Sequence, residues 1–118
     1  MEKGSALPDT TVLLLSTTPD GEVARTISRA LVEEGLAACV NFLPGITSVY
    51  RWRGAVETNS EHLLLIKTRS GQVDGLLKRL PALHPYDVPE VITLPITSGY
   101  PPYLQWILDS TGAGQEDG

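Results

Sequence analysis

The chain reads as an α+β protein, an antiparallel β-sheet with helices packed on one face, and three observations carry that reading. Aliphatic, β-branched runs alternate with stretches whose apolar residues recur at helical spacing. Two of those runs, Ala37 to Tyr50 and Ala55 to Thr68, are joined only by a tight turn at Trp52-Arg53-Gly54, which makes a long β-hairpin. A stiff segment from His84 to Glu90, H-P-Y-D-V-P-E, then feeds the last aliphatic run. Each of its prolines fixes its own φ and drives the preceding residue, His84 or Val88, out of the α region.

The elements follow in order. Thr10 to Ser16, with three consecutive leucines, reads as a central strand. A helix comes next, with Thr18 as its expected cap, Pro19 at its first position and Asp20 and Glu22 at the positive end of its dipole. Val23, Ile27, Ala30 and Leu31 form its expected inner face, and Gly35 ends it. The first hairpin arm is interrupted at Pro44-Gly45; proline cannot donate to a ladder, so a bulge or bend is expected there. The return arm has His62 to Ile66 as its buried part. A second helix from Ser70 to about Leu80 turns Val73, Leu76, Leu77 and Leu80 inward, with Pro81 expected to end or kink it. Val91 to Ile96 reads as a buried strand. Pro101-Pro102 opens a closing helix carrying Tyr103, Leu104, Trp106, Ile107 and Leu108.

The resulting order, β-α-β-β-α-β followed by a C-terminal helix, is the ferredoxin-like arrangement. One domain over residues 10–110 is expected, with residues 1–9 and 111–118 as polar tails. Hairpin arms of about 14 residues would extend roughly 45 Å, against a radius of gyration of about 13 Å for a globule of this length. Such arms overrun a single subunit, and their tips carry Val49, Tyr50, Trp52 and Val56. Either the bend at Pro44-Gly45 folds the hairpin back, or copies of the chain close into a ring that covers it.

Hydrophobic residues at 42% and charged residues at 19% are ordinary globular values, and a net charge of −5 argues against a nucleic-acid surface. The single cysteine, Cys39, excludes an internal disulfide, and Met1 to Asp9 has no apolar signal-like core, so a cytoplasmic protein away from the membrane is expected. No phosphate-binding glycine loop, dinucleotide fingerprint or nucleophile elbow occurs, no nucleophile–base pair is evident, and no organic cofactor is implied; the chain does not read as an enzyme.

Several residues nevertheless carry chemistry. Cys39 is either a small core residue or a soft ligand for copper or zinc. His84, stiffened by Pro85, either coordinates a metal or bonds the last helical carbonyls. His62 reads as a surface or edge residue. Trp52, between Arg51 and Arg53, reads as a subunit contact with cation–π support. Lys67 closes a strand and is placed to reach Asp87 or Glu90, as an ion pair or as part of a clamp. Tyr50, Tyr86 and Trp106 complete the set expected at a cleft or subunit contact.

Read together, L-L-S-T-T-P-D, L-A-A-C-V-N-F-L-P-G-I-T-S-V-Y-R-W-R-G, E-H-L-L-L-I-K-T, H-P-Y-D-V-P-E and Y-L-Q-W-I resemble, in order, the CutA family of divalent-cation tolerance proteins. The likeness covers roughly residues 11–110. It implies a homotrimer of ferredoxin-like subunits, similar in architecture to the PII signalling proteins, that binds divalent metal ions such as copper. By position it makes His84 and Cys39 the candidate ligands, while Ser16 stands where some members carry a cysteine. The alternative it leaves is a PII-like module taking a small ligand or an as yet unidentified protein partner at a cleft of Lys67, Tyr86, Glu90 and Trp106.

Overall fold

A computed structural model describes residues 9–112, so most of each expected tail lies outside the described residues. The elements are β1 (Thr11–Thr18), α1 (Gly21–Glu33), β2 (Cys39–Trp52), β3 (Ala55–Arg69), a 3₁₀ turn (Ser70–Gln72), α2 (Val73–Leu83), β4 (Val91–Pro95) and α3 (Pro101–Asp109). The strands form one antiparallel sheet in the order β2-β3-β1-β4, the ferredoxin-like topology expected from the element order.

One face of the sheet closes against α1 and α2. Val12 and Leu14 of β1 and Leu64 and Ile66 of β3 meet Ala24, Ile27 and Leu31 of α1 and Leu76 and Leu80 of α2. Burying each valine, leucine or isoleucine side chain among these contributes about 1.5–3 kcal/mol. Three expectations are corrected on this face. Thr18 does not cap α1: β1 stays paired as far as Thr18↔His62, so the chain leaves the sheet only afterwards and Asp20 takes the cap, accepting from Val23 N–H at 2.9 Å. The buried stripe of α1 is Ala24, Ile27, Ser28 and Leu31; Val23 packs against the core as expected though half-buried, and Ala30 is only half-buried. In α2, Leu77 points outward, and the helix runs through Pro81 to Leu83.

The hairpin is extended. Its arms are 14 and 15 residues long and pair throughout, with a register shift between Leu43 and Ile46 where Gly45 adopts a left-handed φ of +78°. The bulge thus sits at Pro44-Gly45, where a missing donor and a missing Cβ make it cheap. Arg53 and Gly54 both have positive φ, the geometry that matches a two-residue turn to strand twist. Beyond Thr18↔His62 the arms pair only with each other, so residues 46–61 form a two-stranded ribbon projecting from the sheet. The molecule measures 50 × 29 × 28 Å and its radius of gyration is 15.6 Å, which settles the choice between a folded-back and an outstretched hairpin in favour of the latter.

The second face of the sheet is largely open. Among the described residues only α3 packs there, near Arg69, which donates to Asp9 at 2.8 Å and to the Leu108 carbonyl. Val91–Pro95 is not the buried strand its composition suggests. It is an edge strand, paired to β1 alone, with Ile92 50% and Leu94 39% exposed. The ends of the described chain are tied down: Thr111 is buried, and Gly112 N–H donates to the Gly35 carbonyl.

Candidate functional site

The H-P-Y-D-V-P-E segment links α2 to β4 and is held from both sides. Pro85 keeps His84 extended (φ −93°, ψ 140°), which stops α2, and His84 N–H closes the last turn on the Pro81 carbonyl. The His84 ring is buried, and both nitrogens are committed. Nδ1 accepts Tyr86 N–H at 3.1 Å, which leaves Nε2–H to donate to the Thr17 carbonyl at 2.7 Å. This imidazole therefore fastens the turn to the end of β1. Its ring centroid lies 4.6 Å from that of the Tyr86 ring, the two planes tilted by 54°, and Tyr86 Oη reaches on to donate to Glu61 Oε2 at 2.8 Å. Burial, then the hydrogen bond and charge of Glu61, raise the Tyr86 phenol above its usual range.

The projecting ribbon leans over this turn and leaves a cleft of about 550 Å³. Tyr50 and Trp52 of β2, Glu61 of β3 and Tyr86, Asp87 and Glu90 of the turn line it. At the hairpin tip Arg53 Cζ lies over the Trp52 ring, 5.3 Å from its centroid, and Tyr50 Oη accepts from Asn59.

Other expected members stand elsewhere. Lys67 does not reach Asp87 or Glu90. It lies opposite Cys39 in the register and donates to Asn41, while the Thr17 end of β1 faces Leu63, four residues along β3 or roughly 13 Å away. Cys39 is half-buried, its Sγ 3.8 Å from Asn41 Oδ1. Tyr103 lies beside it, its phenol raised by burial and by Cys39. Trp106 stacks on Tyr103 at 5.6 Å. Within one chain, then, Tyr50, Trp52, Tyr86, Asp87 and Glu90 come together, Cys39, Lys67 and Trp106 lie apart from them, and Cys39 and His84 do not meet. Ser16 is buried with an unpartnered hydroxyl, and His62 is half-buried, 6.4 Å from Phe42. Among the described residues no group of three or more His, Cys, Asp and Glu is arranged to hold a metal ion.

Glu61 is the cleft-lining residue that sequence reasoning passed over. The available signal was the bulge itself: Glu61 pairs with Ile46, the first residue after Pro44-Gly45, and bulges re-aim side chains.

The family profile described as "CutA1 divalent ion tolerance protein" matches residues 12–110. The divalent-cation tolerance protein CutA of Thermus thermophilus is 54% identical over 100 residues, covering 85% of this chain and 97% of that protein. A CutA homolog of Xenopus laevis is 54% identical over 93 residues; the match covers 79% of this chain but only 62% of that protein. Among solved structures, the Thermus thermophilus Cut A1 protein superposes with a TM-score of 0.85 at 52% identity, covering 87% of this chain and 100% of that one. CutA from Xylella fastidiosa gives 0.84 at 49% identity, covering 86% and 98%.

Proposed function

The chain belongs to the CutA1 divalent ion tolerance family, and on that footing we propose that it acts in divalent-cation tolerance as a cytoplasmic, non-catalytic homotrimer that binds metal ions such as copper. One observation carries the assembly: the sheet face opposite α1 and α2 and the β4 edge leave Leu43, Ile92, Leu94, Tyr103 and Trp106 exposed around the half-buried Leu13, Leu15, Leu63 and Leu65. An apolar surface and an unpaired edge of this kind are what a neighbouring copy covers. The projecting ribbons supply strands long enough to pair with such edges.

The metal reading follows from the assembly. No three such groups come together among the described residues of one chain, so this reading has copies contribute ligands jointly. Cys39 is the soft donor on the face that meets neighbours. His84 joins it by releasing one of its two partners, Tyr86 N–H at Nδ1 or the Thr17 carbonyl at Nε2, and Asp87 or Glu90 supplies oxygen. Calorimetry with Cu(II) and Zn(II) on the intact protein tests this beside Cys39→Ala and His84→Ala. Saturable binding weakened about tenfold or more by Cys39→Ala is expected. Equal weak association by all three proteins contradicts it.

A second reading, a PII-like trimeric module taking a small ligand or a protein partner, is favoured by the cleft beside Glu61 and Tyr86. A ligand that binds the folded state raises apparent stability, so a thermal-shift series over metabolites tests it.

A further inference from the structure

Glu61 presents an unused acceptor to the cleft. The residue is only 8% exposed, yet its carboxylate makes one hydrogen bond, from Tyr86 Oη to Oε2. An ionised carboxylate offers about four acceptor sites. Oε1, on the wall of the cleft, accepts nothing among the described residues, and none of the ion pairs formed there involves Glu61. Oε1 is not among the enclosed polar atoms that lack a partner, so it is the open end of a carboxylate whose other oxygen is held by Tyr86, and it faces the cleft where a ligand can reach it.

The rest of the lining says what the missing partner is. Asp87 and Glu90 stand at the exposed lip, Tyr50, Trp52 and Tyr86 present aromatic surface, and the lining includes no Lys, Arg or His. Carboxylates and π faces together attract cations and repel anions. A bare metal ion fits poorly, since no three carboxylate, imidazole or thiol groups converge there. The volume of about 550 Å³ lies within the range of small-molecule sites.

We propose that this cleft takes an organic cation with N–H donors, an alkylammonium or guanidinium group that docks on Glu61 Oε1 and stacks beside Tyr50 and Trp52. The inference rests on the second reading above, that the cleft binds a ligand, and names the class. The same chemistry has two sources, a free amine or a basic side chain of a neighbouring copy.

Calorimetry on the intact protein, at constant ionic strength, with agmatine and n-butylammonium as probes and 1-butanol and acetate as controls, tests it. Expected is saturable binding of the cations alone, weakened about tenfold or more by Glu61→Gln and about threefold by Asp87→Asn, a substitution at an exposed position. Sedimentation of wild type and Glu61→Gln is run in parallel. If wild type refuses both cations but Glu61→Gln needs about tenfold more protein to assemble, the cation comes from a neighbouring copy. Refusal of both cations with unchanged assembly overturns the proposal, as does undiminished cation binding by Glu61→Gln. Binding of a neutral or anionic compound in the cleft also overturns it, while leaving the ligand-binding reading intact.

Discussion

The two faces of the same sheet are finished to different degrees. On β3, Leu64, Ile66 and Thr68 are fully buried beneath α1 and α2, while Leu63, Leu65 and Lys67, alternating with them, are only half-buried. Nothing in local composition separates the two sets: L-L-L-I is aliphatic on both sides of the pleat. A strand that is apolar on both faces belongs to a sheet covered on both faces. The chain supplies one cover from its own helices and only part of the other, from α3. The difference teaches that the apolar content of this sequence exceeds what one copy can bury.

Mutations can set the faces against each other. Leu64→Ala opens a cavity in the closed layer and is expected to cost about 2–5 kcal/mol at every protein concentration, read by urea unfolding. Leu94→Ala, at the edge of the open face, is expected to act through assembly, so its effect grows on dilution. Equal, concentration-independent losses would erase the distinction. A smaller effect of opposite sign is expected at Ser16. Its hydroxyl is buried on the closed face without a partner, so Ser16→Ala should stabilise by about 1 kcal/mol, visible as a higher thermal midpoint. The smallest effect belongs to the outer surface of the helices. There Arg79 donates twice to Glu34 at 2.9 Å, and that hydrogen bonding holds Glu34 below its usual range. A depressed carboxylate adds stability above its unfolded pKa and loses it as pH falls through the folded value. Glu34→Gln should therefore flatten slightly the loss of stability on acidification below about pH 4, and solvent screening keeps the change small.

Most of the fold was legible, because it is written in local signals. Pro44-Gly45 marked the bulge, Arg53-Gly54 the turn and Gly35 the helix end, each through a backbone requirement that few other residues meet. What escaped was decided at longer range. Two cap-competent residues, Thr18 and Asp20, lie two apart, and only the extent of β1 pairing with β3 chooses between them. Val91 to Ile96 looks buried because an aliphatic run records that something covers it, without saying that the cover is missing from its own chain. At the candidate site, the stiffness of His84-Pro85 was plain. The commitment of both ring nitrogens was not, since Thr17 is 67 residues away in sequence. Glu61 had only the bulge to announce it, because its neighbour Tyr86 lies 25 residues further on.

The central claim is that the open face and the projecting ribbon are completed by further copies of this chain. Sedimentation equilibrium at micromolar concentration tests it most directly. A single species of three times the chain mass, driven toward smaller species by Leu94→Asp, is the expected result. A stable monomer whose hairpin and β4 edge stay solvent-exposed would contradict it.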